Sequence, residues 1–228
     1  YIDSESLNPD EDYHPNKDGR HRKYNAAYLF SDKKPVKRKT KIDVLPKGVQ
    51  PKTLLPNYRV FDDERYFFSL KEIAIDYNVK LKELSQPFLI PIKVGSETQK
   101  IPFGIEICED LWINDYRING KHINPTRYLI NNGAKYIINI SCSSWTYQKN
   151  FARDRRIKEI KEDIEQYPRK RFRPFIYVNN CGAQNNGKNI ITFDGGTTIY
   201  NDNADPILFD TPFEEQNIIV DFLDLLEK

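Results

Sequence analysis

Methionine is absent from the 228 residues, and the chain has only three cysteines, three histidines and two tryptophans. Cys108, Cys142 and Cys181 lie far apart and form no CxxC pair, which argues against a disulfide framework and against a cysteine zinc site. The histidines share no metal-ligand spacing with a thiol or carboxylate. We therefore predict reduced thiols in a cytoplasmic protein, with no metal and no other cofactor.

Long apolar runs are also missing, so neither a bilayer-spanning helix nor a signal peptide is predicted. The 35 basic and 33 acidic residues almost cancel, leaving a net charge of +2. This balance predicts no membrane partner and no nucleic-acid partner. The basic run 32–41 has no interleaved aromatic residues and is typical of a solvated hairpin or loop. The run 167–174 does mix Arg and Lys with aromatics, but it connects a predicted helix to a predicted strand.

The elements that can be predicted alternate between helix and strand. Ser69 with Glu72 forms a capping-box pattern ahead of apolar residues at helical spacing, which predicts a helix over 69–78. Asn124, Pro125 and Gly133 delimit a second helix. The remaining predictions are a surface helix over 152–166, strands over 25–30, 87–94, 134–141 and 174–180, a hairpin over 191–210 with its tip at 201–204, and a last strand over 217–222.

The stretch FGIEICEDLW, Phe103 to Trp112, reads as a buried strand that ends in a thiol and two carboxylates. A cysteine on an apolar strand is usually inert core. Cys108, however, stands where the apolar run gives way to polar residues, and sites in α/β sheets lie at such strand ends. The adjacent Glu109 would raise the thiol pKa, so a nucleophilic Cys108 needs a cation or a base nearby.

Lys52 is the best candidate for that cation. It precedes an apolar turn and lies among Tyr58, Phe61, Tyr66 and Phe67, unlike the other lysines of the chain. A lysine near proline is nevertheless a surface residue in most proteins.

Three motifs in order, KTLLPNYRVFDDERYF, GIEICEDLW and NISCSSWTYQKN, resemble the nitrilase (carbon–nitrogen hydrolase) superfamily. Within it, LPNY and CEDLW are most similar to the glutamine amidohydrolase domains of glutamine-dependent NAD synthetases. The resemblance implies an α/β fold of the four-layer αββα sandwich type. It extends from about Tyr24 to Phe222, and we expect residues 1–228 to be a single domain that is incomplete at its N-terminus.

The resemblance also implies a role for each matching residue. Cys108 corresponds to the nucleophile, and Lys52 to the lysine that stabilises the tetrahedral intermediate. Glu109 corresponds to the acidic neighbour that helps to order the substrate pocket, and Tyr58 to a residue of that pocket. Ser143 and Lys149 occupy the places that contact the amino-acid part of glutamine, and no metal is needed.

The third member of the family's catalytic triad, a glutamate base, follows an early strand that this sequence does not contain. Glu5 and Glu11 lie in loop-like sequence and are not candidates. Asp63 and Glu64 lie near the place of a second acidic residue of the family, but we predict that they form a structural ion pair with Arg65.

The sequence thus predicts a cysteine amidohydrolase that converts glutamine, or a similar small amide, to acid and ammonia through a thioester. The ammonia would supply NAD synthesis in a synthetase domain or subunit. The alternatives are a free-standing amidase acting on another amide, a catalytically impaired nitrilase-fold interaction module, and a nucleic-acid-binding domain. A homo-oligomer is expected from the family, and Cys142 and Cys181 are predicted to be buried structural thiols.

Overall fold

The computed structural model describes residues 2–3, 22–40, 42, 44–58, 61–118, 120–185, 187 and 189–220. The polar sequence of residues 1–22 predicts a loop, and this segment lies almost entirely outside the described part of the chain, as do Glu5, Glu11, His14 and His21.

The described residues form short strands and helices in an alternating order. The strands are β1 (Ile2–Asp3), β2 (Lys23–Tyr24), β3 (Ala26–Tyr28), β4 (Phe30–Ser31), β5 (Lys34–Pro35), β6 (Val49–Pro51), β7 (Phe88–Val94), β8 (Glu97–Ile107), β9 (Arg117–Ile118), β10 (Lys121–His122), β11 (Tyr136–Ser141), β12 (Phe175–Asn179), β13 (Cys181–Asn185), β14 (Ile190–Asp194), β15 (Thr198–Tyr200) and β16 (Pro206–Phe209). The helices are α1 (Asp63–Tyr66), α2 (Leu70–Asp76), α3 (Leu81–Leu84), α4 (Pro125–Asn131) and α5 (Lys149–Glu165), with 3₁₀ turns at Cys108–Leu111 and Ile113–Asp115.

A six-stranded sheet with the order β16-β15-β12-β11-β8-β7 forms the centre of the fold. Its three middle strands, β8, β11 and β12, run parallel to one another. The outer strands β7, β15 and β16 are each antiparallel to their neighbours. The α/β class predicted from the sequence is therefore confirmed.

The two faces of this sheet bury different apolar clusters. Ile137, Phe175 and Tyr200 lie on one face and pack with the isoleucines of α5 in the larger core. Phe103 and Tyr136 lie on the opposite face in a smaller core. Because successive side chains of a strand point to opposite faces, the near-continuous apolar sequence of these strands follows from burial on both sides.

The helix signals in the sequence are confirmed. Ser69 caps α2 and forms the predicted capping box with Glu72, whose carboxylate accepts the Ser69 N–H at 2.7 Å. Asn124 caps α4 by accepting the Arg127 N–H at 2.9 Å. Helix α5 begins at Lys149, three residues earlier than predicted, because its first turn follows Gln148 in the left-handed conformation, with no side-chain cap to mark it.

The C-terminal strands differ from the prediction. The hairpin with its turn at 201–205 does form, between β15 and β16, but β14 pairs with β13 in a separate two-stranded ladder. The predicted strand over 217–222 is wrong over residues 217–220, where no strand forms and Ile219 is 98% exposed. The remaining two positions lie outside the described residues.

The carboxyl ends of the parallel strands β8, β11 and β12 meet at one edge of the sheet. Cys108 follows β8, Cys142 and Ser143 follow β11, and Asn180 follows β12. Open α/β sheets place their ligand sites at this edge. The candidate site lies there.

Candidate active site

One cavity of about 1150 Å³ is lined by all six residues that the sequence singles out. These residues are Lys52, Tyr58, Cys108, Glu109, Ser143 and Lys149. They come from three segments that are far apart in the chain. The cavity is large enough for an amino-acid-sized substrate.

Cys108 is the strained first residue of the 3₁₀ turn that follows β8. Its φ is +46°, a left-handed conformation that is costly for a residue with a Cβ. Asn139 on the neighbouring strand β11 donates from Nδ2 to the Cys108 carbonyl at 3.3 Å. The turn brings Cys108 to the cavity wall at the end of the strand, as predicted.

The surroundings of the Cys108 thiol have opposing effects on its pKa. Enclosure by protein raises the pKa most strongly, and the charge of Glu109 adds to this. Lys52, the backbone N–H of Cys142 and Lys149 lower it, but the net shift is upward. A proton acceptor is therefore needed to produce the thiolate that attacks an amide.

Lys52 is buried at 3% exposure and its Nζ lies 2.8 Å from Oδ2 of Asp63. The predicted ion pair of Asp63 with Arg65 is therefore wrong, because Arg65 contacts Asp62 instead, at 3.8 Å. Burial alone would lower the pKa of Lys52, but the charges of Cys108, Asp63 and Asp110 outweigh it and raise the pKa. Lys52 is thus held as a cation beside the thiol.

Glu109 is a buried carboxylate that receives two tyrosine hydroxyls. The Tyr58 hydroxyl donates to Oε2 at 2.9 Å, and the Tyr116 hydroxyl lies 3.0 Å from Oε1. Burial raises the pKa of Glu109 to about 7, against the lowering effect of both hydrogen bonds and of Lys52. Tyr116 is absent from the sequence predictions, since nothing in its local sequence indicates a contact with Glu109.

Ser143 and Lys149 line another part of the cavity wall, after β11 and at the start of α5. The Ser143 N–H donates to Asn179 Oδ1 at 2.8 Å, and Asn179 Nδ2 donates back to the Ser143 carbonyl at 3.1 Å. Lys149 Nζ donates to the Ser144 carbonyl at 2.7 Å. Burial lowers the pKa of Lys149, while Cys108 and Asp194 oppose the shift. This wall offers one cation and one hydroxyl to a polar ligand.

The other two thiols do not match their predicted burial. Cys142 is exposed and lines the cavity just after the end of β11, between the buried Ser141 and Ser143. Cys181 is half-buried on β13. The prediction of buried structural thiols is therefore wrong for Cys142.

The sequence predictions also missed two buried carboxyl groups that flank Cys108 in sequence, those of Glu106 and Asp110. Glu106 is fully buried, accepts the Thr126 hydroxyl at 2.6 Å through Oε1, and has no partner at Oε2. Asp110 accepts backbone N–H groups from two segments of the chain. An acidic residue in a strand pattern could have indicated a buried functional carboxyl, but its partners could not be read from the sequence.

Replacing Glu106 with glutamine is expected to remove part of the pH dependence of stability. Burial, followed by the charge of Asp110, raises the pKa of Glu106 to about 8, well above its ordinary value of 4.5. The folded state therefore binds more protons than the unfolded state between these values, so the free energy of unfolding falls as pH rises, by up to about 1.4 kcal/mol per pH unit. Urea unfolding of wild type and Glu106→Gln at pH 5.5, 7 and 8.5 measures this slope.

The matched control is Glu97→Gln, at the exposed start of the same strand, which should keep the wild-type slope. If the free energy of unfolding changes equally with pH in wild type and in Glu106→Gln, Glu106 does not titrate in this range.

Two further findings concern the described part of the chain. No group of three or more His, Cys, Asp or Glu side chains there is arranged to hold a metal ion. No helix among the same residues is long and apolar enough to cross a membrane.

Sequence comparison finds relatives that share one name. A glutamine-dependent NAD(+) synthetase of Synechocystis sp. is 33% identical over 156 residues, which are 66% of this chain and 22% of the relative. The chain spans about a quarter of the length of the curated relatives that it matches, 22% of this one and 27% of a second, from Thermotoga maritima. No family model matches the sequence.

Structure comparison gives the fold. The glutamine-dependent NAD+ synthetase of Acinetobacter baumannii, solved with ADP, superposes with a TM-score of 0.52 at 23% identity, over 89% of this chain and 28% of the synthetase. A carbon–nitrogen hydrolase of Helicobacter pylori superposes with a TM-score of 0.53 at 18% identity, over 84% of this chain and 54% of the hydrolase. The resemblance and the nitrilase-like fold predicted from the motifs are confirmed.

Proposed function

We propose that this chain, which is a carbon–nitrogen hydrolase by fold and is related in sequence to glutamine-dependent NAD(+) synthetases, hydrolyses the side-chain amide of glutamine. The observation on which the proposal depends is that Cys108, Lys52 and Glu109 line one cavity, although Lys52 is more than fifty residues away from the other two in sequence. An amide is a poor electrophile, so its hydrolysis needs a thiolate, a positive charge for the oxyanion and a proton for the leaving ammonia.

In the proposed reaction the Cys108 thiolate attacks the amide carbon. The ammonium of Lys52, kept protonated by Asp63 at 2.8 Å, stabilises the negative oxygen of the tetrahedral intermediate. The C–N bond then breaks, ammonia leaves with a proton, and a thioester remains on Cys108. Water hydrolyses the thioester to the acid and restores the thiol.

The proton acceptor for the thiol remains a prediction. The raised pKa of Cys108 means that a base must act before the attack. The family resemblance implies a glutamate for this role.

Selectivity for glutamine is assigned to the charged walls of the cavity. Glutamine has an α-ammonium and an α-carboxylate besides its amide. We place the ammonium at Glu109, whose carboxylate is buried and oriented by Tyr58, and the carboxylate near Lys149 and Ser143. Charge-assisted hydrogen bonds of this kind are stronger than neutral ones.

The test is ammonia release by the full-length protein from glutamine, asparagine and butyramide, which has the acyl chain of glutamine without its charges. We expect glutamine to be the best substrate. We expect Glu109→Gln to raise KM for glutamine about tenfold or more through loss of a charge-assisted contact, with little change for butyramide.

Each other outcome of this assay has a distinct meaning. Butyramide cleaved as well as glutamine would make the chain a general amidase and overturn the substrate assignment. Absence of ammonia from every amide would favour a nitrilase-fold interaction module and overturn the proposed function.

The wider setting is part of the same proposal. We propose that the ammonia supplies a synthetase domain or subunit, in keeping with the name shared by the relatives, and that the enzyme works as a homo-oligomer. We also place it in the cytosol, because Cys108, Cys142 and Cys181 all have free thiols, which suit a reducing compartment.

A further inference from the structure

Asp110 connects the two segments that contain the proposed catalytic residues. Its side chain is 1% exposed. Oδ1 accepts the N–H groups of Thr53 at 2.9 Å and of Leu54 at 2.7 Å. Oδ2 accepts the N–H of Ile107 at 3.0 Å. One carboxylate thus receives three backbone hydrogen bonds from segments that are more than fifty residues apart.

The three donors lie within two residues of the proposed catalytic residues in sequence. Thr53 and Leu54 follow Lys52, and Ile107 precedes Cys108. The backbone of Lys52 is also held by Asn25 and Leu70, since its N–H donates to the Asn25 carbonyl and its carbonyl accepts the Leu70 N–H. Those bonds attach Lys52 to the residue before β3 and to the first residue of α2, whereas the bonds of Asp110 attach the segment after Lys52 to the Cys108 turn.

The Cys108 turn needs such support because it is strained. A cysteine in the left-handed conformation is strained and keeps it only when its surroundings hold it there. The bond from Ile107 to Asp110 closes the turn on one side, and the bond from Asn139 to the Cys108 carbonyl holds the other.

We propose that Asp110 is a positioning residue that sets the separation between the Lys52 ammonium and the Cys108 thiol. It acts through its backbone hydrogen bonds and touches neither substrate nor thiol. The inference rests on the proposed function for its catalytic meaning. The main test measures the pKa of the Cys108 thiol and does not depend on amide hydrolysis.

Two possible effects of removing Asp110 on the thiol have opposite signs. If Asp110 acted only through its negative charge, its loss would favour the thiolate and lower the pKa of Cys108. If it positions Lys52, its loss lets the cation move away from the thiol and raises that pKa. The other titratable groups that act on Cys108 are Glu109, Lys149, Cys142 and Tyr177, and none of them is altered when Asp110 is changed.

The test is the pH dependence of Cys108 alkylation by iodoacetamide in the full-length protein, followed by peptide mass. Asp110→Asn keeps the side-chain shape but presents an amide NH₂ to at least one backbone N–H. We expect the alkylation midpoint to rise by about one pH unit, which makes alkylation below the midpoint about tenfold slower. We expect no such rise when Asp110→Asn is made in a Lys52→Met background.

The matched control is Glu109→Gln, the neighbouring carboxylate, which accepts none of the three backbone bonds. Since the charge of Glu109 raises the thiol pKa, its loss should lower the midpoint. A midpoint that is unchanged or lowered in Asp110→Asn, or one raised equally in the Lys52→Met background, would overturn the inference.

Hydrogen exchange of the wild-type protein provides a second measurement that does not depend on the folding of a variant. The backbone amides of Thr53, Leu54 and Ile107 should exchange at similar rates, because one carboxylate accepts a hydrogen bond from each of them. Exchange of Ile107 at a rate unrelated to that of Thr53 and Leu54 contradicts the inference. If wild type releases no ammonia from any amide, the proposed function fails, while both measurements still decide the role of Asp110.

Discussion

Replacement of Cys108 with alanine is expected to abolish ammonia release from glutamine and from every other amide that the protein accepts. Without the thiol no thioester forms, and loss of a nucleophile lowers turnover by on the order of 10⁴-fold or more. The fold should survive, because Cys108 is only half-buried at the cavity wall. Ammonia release and far-ultraviolet circular dichroism measure the two effects separately.

Cys181→Ala is the control for this variant, because Cys181 lies on β13 and does not line the cavity. It should keep wild-type turnover. A diazoketone analogue of glutamine should label the Cys108 peptide of wild type and leave Cys108→Ala unlabelled at every cysteine. Label on the exposed Cys142, or ammonia release by Cys108→Ala, would contradict the assigned nucleophile.

Lys52→Met is expected to lower turnover by on the order of 10²- to 10³-fold, the size of effect seen when an oxyanion-stabilising group is removed. It should also destabilise the fold, because Asp63 loses its ion-pair partner and its side chain is only 17% exposed. Breaking such a pair costs about 3 kcal/mol when both charges are buried, and less here because water reaches Asp63. Turnover and urea unfolding provide the two measurements.

The double variant Lys52→Met with Asp63→Asn separates these effects. Removing the orphaned carboxylate should restore most of the stability and none of the turnover. Turnover that returns in the double variant would show that Lys52 serves only to neutralise Asp63 and has no part in stabilising the oxyanion.

The helices and the place of Cys108 at the end of a strand were predictable because their signals are local. Ser69 with Glu72, and Asn124 with Pro125, are start signals that act within one turn of helix. The position of Cys108 could be predicted since an apolar run that ends abruptly indicates the end of a strand.

What could not be predicted depends on contacts between distant segments. The pairing of Asp63 with Lys52, the hydroxyl of Tyr116 at Glu109 and the three bonds of Asp110 all depend on tertiary packing. The failed strand near Ile219 has the same cause. An apolar β-branched run favours a strand, but a strand forms only where a neighbouring edge can pair with it.

The bonds of Asp110 have a consequence for protein engineering. They join the residues after Lys52 to the residue before Cys108. The two segments must therefore be transferred together if both are to keep these hydrogen bonds. A graft that moves CEDL into another sheet without its lysine segment would leave a buried carboxylate short of two donors. Such a transplant must include both segments and the spacing between them.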